Sequence, residues 1–523
     1  MAMQSGKVIR LQSLRYSIGN SIIILQNDGF SSRYGHLEKY SEKIIGKSPE
    51  DIKNKILIRE DFDRELSKTE EIFVEAGEII GYSGDTGIGP AHLHVELFKD
   101  DHYYNPSSFL PPTDTKGEIQ VSEVELIPLS DNSYIEERHL PFKVKITKQG
   151  DRFSINRIEP IKVKGSIGIQ LSAHEASSKS NRIGFQKITT YLNGIEKQEI
   201  NFFKIKISHM FKSCFIFDNY KSTMSGRPFK YILYNKENDI INVFKNKEKN
   251  SGSITSSELK LDESNLFEIS LDGLNGKNSK VAVYLKADLQ EYPAIANDKN
   301  ENIFPEKSNT IISDDKLVST YFPTNSVFTK DFFYIEKLDS KVEEQGIEQI
   351  SPIYGIRPDF REFNIGFDLS FKFINNNTNN DKIGLFGINE KGKILRFYQT
   401  GIYNSNEQSF KIHLKSTGYY SVLKDNTKPL VRLEKYKNGH VFDRDDFKLY
   451  LRARDSGSGV GENGILVTID GEEGKLDYDP EANHWEIFYP AKMRNKGSHL
   501  LEATPTDRLG NIGDKIEFNY IVK

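Results

Sequence analysis

Runs in which apolar and polar residues alternate recur along most of this 523-residue chain, Phe142-Lys-Val-Lys-Ile and Ile161-Lys-Val-Lys-Gly-Ser-Ile-Gly-Ile-Gln-Leu among them. Period-two alternation suits a strand with one face in a core. The runs are short and end at Asn-Gly, Asp-Gly or Gly-Lys pairs, which supply the positive φ angles of tight hairpin turns. The chain therefore reads as all-β and mainly antiparallel: a β-sheet domain followed by several β-sandwiches. A wealth of Tyr and Phe, 25 and 33 residues, agrees with that reading. Cys214 is the single cysteine, so no intramolecular disulfide is possible and packed cores must supply the stability. Within Phe-Lys-Ser-Cys-Phe-Ile-Phe it reads as a buried, inert strand thiol.

Lys and Arg number 71 against 75 Asp and Glu, a net charge of −4 that favours neither nucleic acid nor an anionic membrane as partner. No apolar run approaches the roughly 18 residues of a membrane span. The N-terminal Met-Ala-Met-Gln-Ser-Gly-Lys carries no signal-peptide apolar core.

Turn clusters and composition divide the chain into residues 1–112, 118–292, 318–427 and 428–523. Residues 41–72 form a charged insertion in the first of these. Ser48-Pro49-Glu50-Asp51 predicts a helix start, with Pro in the first turn and acids at the positive dipole end. The insertion reads as a solvated surface excursion, with shaping of a groove as the alternative. Phe109–Gly117 reads as a linker, and residues 297–302 and Asn375–Asp381 as polar loops. A faint repeat relates Gly184–Gly194 to Gly461–Gly471, each a strand ending at an Asn-Gly or Asp-Gly turn. Asp455-Ser-Gly-Ser-Gly and Asp470-Gly-Glu-Glu lack the regular spacing of a dedicated calcium loop and read as turns.

Chemistry concentrates in Ser83-Gly-Asp-Thr-Gly-Ile-Gly-Pro-Ala-His-Leu-His-Val-Glu96. His92 and His94 stand two apart in a strand-like run, so both imidazoles leave one face. The glycine-rich lead-in lets backbone approach whatever they hold. A third histidine lies in Tyr34-Gly-His36-Leu37, after a strand over Asn20–Gly29 that ends in an Asn-Asp-Gly turn. Tyr34 reads equally as a groove donor or a packing residue, and Asp85 as a turn aspartate bonded to its own backbone. His102, eight residues beyond His94, reads as exposed.

Together with Val74-x-x-Gly77-x-x-Ile80-Gly81-Tyr82-Ser83-Gly84 and Asn105-Pro106, these motifs make residues 5–112 resemble the M23 (lysostaphin/LytM-type) zinc endopeptidase domain. Lys496–Asn511 resembles the closing strands of bacterial immunoglobulin-like repeats. The first resemblance implies zinc as cofactor and cleavage of peptide crosslinks, mostly those of peptidoglycan. It implies His94 as a zinc ligand, and His36 and His92 as the catalytic pair of general base and oxyanion stabiliser. It also implies a cell-envelope location.

That family takes two further zinc ligands from an upstream His-x-x-x-Asp motif. None of the eleven histidines here has Asp four residues later; the nearest miss is His440, with Asp443 at +3. The expectation is a chain whose N-terminal portion is missing, with little or no peptidase activity as given and an unpaired sheet edge where the lost strand belongs. The alternative is a non-catalytic descendant that binds peptidoglycan or regulates a wall hydrolase through a protein partner, with zinc absent. A third reading is an adhesion scaffold with a vestigial head.

Overall fold

The computed structural model describes all residues except 16, 90, 110–117, 151, 177–181, 219–228, 275, 294–300, 360, 362, 373–381, 400, 405–408 and 480–481. Most of the expected Phe109–Gly117 linker, part of the 297–302 loop and the Asn375–Asp381 loop lie outside the described residues. The chain is all-β, with two compact units: Met1–Gly87 with Ala91–Asp298, and Ile88–Pro90 with Lys299–Lys523. Among the described residues no helix is long and apolar enough to cross a membrane.

The first sheet is built from β1 (Gly6–Leu14), β2 (Gly19–Gln26), β3 (Ser31–Gly35), β5 (Phe62–Glu65), β6 (Ile72–Val74), β8 (His94–Lys99) and β9 (His102–Tyr104). A short ribbon, β4 (Leu37–Tyr40) with β7 (Gly81–Ser83), stands beside it. β2 turns into β3 through Asn27–Gly29, where Gly29 N donates to Gln26 O at 3.0 Å. The sheet takes its last strand, Lys204–Lys206 on β9, from inside the span read as the next sandwich.

The insertion is more than a surface excursion. α1 (Glu42–Lys47) and α2 (Glu50–Leu57, with Pro49 as N-cap) bury Ile44 and Ile52 in the core of the first sheet, beside Phe62 and Ile72. β5 and β6 then pair with the outer edge of β1, and Arg10 holds Asp63 in a two-toothed ion pair at 2.5 and 2.6 Å. The outer edge of β1 is therefore covered by the insertion. The alternating charges of 61–65 are those of an edge strand, polar toward water and paired across the ladder.

In the rest of this unit, Phe142–Gln149 pairs through its first half with Glu118–Pro128 and through its second half with Arg152–Ile155. A strand that changes sheets in this way joins the two faces of a folded-over sheet around one core. The thiol reading needs correction. Cys214 lies in a 3-10 segment, Ile207–Phe215, and is half-buried. The buried pair there, Phe215 and Ile216, is adjacent rather than alternate, which a strand facing one core cannot provide.

Among the described residues the second unit has several cores, two of them large. One gathers Phe322, Phe333, Phe367, Phe371, Tyr354 and Tyr420 between a five- and a six-stranded sheet. The other surrounds Trp485, whose indole donates to Glu462 O at 2.8 Å. The repeat is structural: Asn193-Gly194 and Asp470-Gly471 both have two successive positive φ angles, 49° and 83°, then 52° and 77°, the two-residue turn that matches strand twist.

Asp315 carries a pH dependence in this unit. Burial opposes its ionisation, but bonds from Tyr354, Ser313, Lys337 and the Leu317 amide outweigh burial and hold the carboxyl below the usual range. A carboxyl depressed in the folded state lends stability above its unfolded pKa, about 4, and loses it as the pH falls. Asp315→Asn should flatten the acid limb of stability, read by urea unfolding between about pH 5 and pH 2.

Candidate functional site

Two backbone pairings bring the histidines together. His36 follows β3, and its neighbour Gly35 is paired with His94 at the start of β8. The His36 carbonyl accepts from Gly84 N at 2.8 Å, and Gly84 is bridged to His92, whose amide donates back at 3.0 Å. His92 therefore lies one bridge ahead of the strand rather than within it, a refinement of the single-strand expectation. Ring centroids are 4.5 Å apart for His36–His92, 5.6 Å for His36–His94 and 6.4 Å for His92–His94. One ring nitrogen from each lies within 4.8 Å of the other two.

The Gly84-Asp-Thr-Gly87 loop sets the orientation of His36. Thr86 Oγ1 donates to Leu37 O at 2.8 Å and accepts from Asn20 N at 3.0 Å, which pins the loop between two strands. Thr86 O then lies 2.7 Å from His36 Nδ1. A carbonyl only accepts, so Nδ1 carries the proton in this contact and Nε2 presents its lone pair. Burial lowers the His36 pKa, the charges of His92 and His94 lower it further, and the Thr86 bond opposes them. The ring is neutral at pH 7.

Glu96 completes the site, and the sequence reading missed it. Its Oε1 is 3.1 Å from His94 Nε2, and its Oε2 accepts from Arg33 Nη1 at 2.8 Å. Burial pushes this carboxyl up, but the bonds and charges of His94 and Arg33 prevail and hold it low. The signal was present: His94 and Glu96 stand two apart on one strand, hence on one face. Tyr34 has a packing role, since it is 2% exposed in the core and its hydroxyl accepts from Met3 N. Asp85 is exposed and outside the histidine group, and His102 opens β9, half-buried rather than exposed.

Three imidazoles are a donor set that zinc accepts. Ligating histidines typically hand their other ring nitrogen to a carbonyl or carboxylate, as His36 does to Thr86 and His94 to Glu96. The residues present fit a zinc ion.

No protein-family profile matches the chain. Over 115 residues it is 31% identical to lysostaphin of Staphylococcus staphylolyticus and, equally, of Staphylococcus simulans. That match spans 21% of this chain and only 18% of each lysostaphin. Among solved structures, the fibronectin(III)-like modules of Clostridium thermocellum CbhA align with 36% of this chain and 94% of their own, at 13% identity and a TM-score of 0.16. The Bacteroides ovatus mixed-linkage glucan utilization protein SGBP-B aligns with 68% of this chain and 63% of its own, at 9% identity and a TM-score of 0.13.

Proposed function

We propose that residues 1–112 are an M23-type zinc peptidase-like domain directed at the peptide crosslinks of peptidoglycan in the cell envelope, with the β-sandwiches positioning it on the wall. The convergence of His36, His92 and His94 carries this reading, supported by the local identity to lysostaphin. In it, His94 would be one zinc ligand through Nδ1, its Nε2 being held by Glu96, while the two further ligands of the family's His-x-x-x-Asp motif are not found in this sequence, so that activity would be weak. A bound zinc ion supplies Lewis acidity and a nucleophile at neutral pH. His36, neutral and with Nε2 unprotonated, takes a proton from the attacking water. His92, exposed at the mouth of the site, donates to the oxygen of the peptide carbonyl as charge develops there.

A second reading follows from the same geometry. If all three imidazoles bind one ion, no base remains, and the domain is a zinc-stabilised wall-binding or hydrolase-regulating module. The observation that favours it is that, among the described residues, the histidine group includes no carboxylate ligand.

Zinc content and turnover separate the two. On the peptidase reading, His94→Ala loses zinc, while His36→Gln and His92→Gln keep it and lose release of peptides from purified peptidoglycan by at least about 100-fold. On the second, each of the three substitutions lowers zinc content, the wild type releases nothing, and retention on insoluble peptidoglycan falls with the metal. A wild-type chain with neither zinc nor peptidoglycan retention would sink both.

A further inference from the structure

The second unit brings together three carboxylates that lie far apart in the chain. Asp425 ends the strand Gly418–Asp425, Asp455 follows Leu449–Arg454, and Asp507 ends Gly497–Asp507. One oxygen from each lies within 4.8 Å of the others. Asp425 is 0% and Asp507 5% exposed. Among the described residues none of the three has an ion pair with Lys, Arg or His, although buried carboxylates are normally paired or bound to a metal.

Each carboxylate keeps one oxygen in reserve. Asp425 Oδ1 accepts from Thr427 N and Oγ1, while its Oδ2 accepts only Ser458 N at 2.6 Å. Asp455 Oδ2 accepts from Gly457 N and Gly459 N, while among the described residues Oδ1 has only a share, with Asp425 Oδ1, of the single Thr427 Oγ1 proton at 2.9 Å. Asp507 Oδ1 accepts from Leu509 N and Asn511 N, while Oδ2 accepts only Asn511 Nδ2 at 2.7 Å. A carboxylate offers about four lone-pair positions, so three oxygens retain capacity. A separate observation points the same way: the Ser458 hydroxyl is buried and has no hydrogen-bond partner among the described residues, on the residue whose amide reaches Asp425. Burial pushes the Asp507 carboxyl up and the Asp425 charge adds to it, against the bonds from Asn511.

We propose that Asp425, Asp455 and Asp507 form a calcium site that joins the end of the 318–427 region to the strand-end loops of 428–523. Hard oxygen donors with no nitrogen or sulfur suit calcium, and an arrangement held by loop amides tolerates its irregular, high coordination better than the strict octahedron of magnesium. The ion rivets residues 425–429, a segment already tied by the Asn511 Nδ2 bond to Asp425 O at 2.9 Å. This site is independent of the histidine cluster and of its function.

The test uses the full chain after dialysis against a chelator, titrated with calcium chloride. One calcium should bind with a Kd at or below about 1 mM, magnesium should fail to displace it, and the amides of residues 457–459 should exchange more slowly when it is bound. Asp425→Asn and Asp455→Asn should each weaken binding at least tenfold, while Asp470→Asn, in the neighbouring turn, should not. Absence of calcium uptake up to about 10 mM overturns the proposal. So does uptake that both substitutions leave unchanged. Should the variants unfold, the wild-type exchange experiment decides alone: no slowing at 457–459 overturns the site.

Discussion

Gly19→Ala should cost at least about 3 kcal/mol of the first domain's stability, far more than the same change at a glycine with open space around it. Gly19 adopts φ 63°, where a side chain alone costs about 1–2 kcal/mol. The larger effect is steric. A Cβ there would stand 2.1 Å from Thr86 O and 2.5 Å from Thr86 Oγ1. Thr86 O is the atom that holds His36 Nδ1, so the loop cannot yield without releasing the ring. Gly77→Ala is the control: its φ is 81°, yet nothing lies within 4 Å of the added carbon, so only the backbone cost of about 1 kcal/mol should appear. Denaturant unfolding measures both. Wild-type stability of Gly19→Ala would show that the close approach of Gly19 to Thr86 does not constrain the loop that holds His36.

The legibility of this site tracks how local its parts are. His92, His94 and Glu96 stand within five residues, and strand alternation alone assigns two of them to one face. His36 was legible only through its motif, since nothing in its spacing from His92 requires contact; the ladders Gly35–His94 and Gly84–His92 make it. The clamp was invisible because its working atom is a backbone carbonyl, and every residue has one. Asp455 was judged by its own loop and read as a turn, yet its partners lie 30 residues before and 52 residues after it in the numbering. A sequence pattern registers a calcium loop when the ligands are contiguous; three strand ends meeting in space leave no such trace.

Fold class was legible for the reason the turns were. Asn193-Gly194 and Asp470-Gly471 can hardly form anything but a tight hairpin between alternating strands. The insertion was misjudged because charge was weighed above pattern. Ile44, Ile52, Phe62 and Ile72 are sparse within residues 41–72, but their burial anchors the segment, and its charged residues lie along the edge it covers. A polar average is compatible with a structural strand when that strand has one face in water.

Lys230→Met should destabilise the first unit by about 3–5 kcal/mol, the cost of removing one partner from a buried ion pair. Lys230 is 4% exposed, and its Nζ lies 2.5 Å from Glu125 Oε2 and 2.9 Å from Glu123 Oε1. The side chains meet across the intervening strand Ser166–Ala176: Lys230 is paired with Ser172, and Ser172 with Glu123. Glu125, 1% exposed, is the partner that matters, because Glu123 keeps 22% of its side chain in contact with water. Two charges taken from water recover their desolvation cost only while both remain, so the loss of Lys230 leaves a deeply placed carboxylate without its cation. Lys230→Met combined with Glu125→Leu removes that debt and should recover most of the lost stability, as apolar replacement of buried pairs often does. Glu123→Gln, by contrast, should cost under about 1 kcal/mol. Urea unfolding of the wild type, Lys230→Met, Glu125→Leu and the double variant as a double-mutant cycle gives the coupling directly. If the double variant is as unstable as Lys230→Met alone, packing of the lysine stem rather than its charge holds these strands, and the electrostatic account of this core fails.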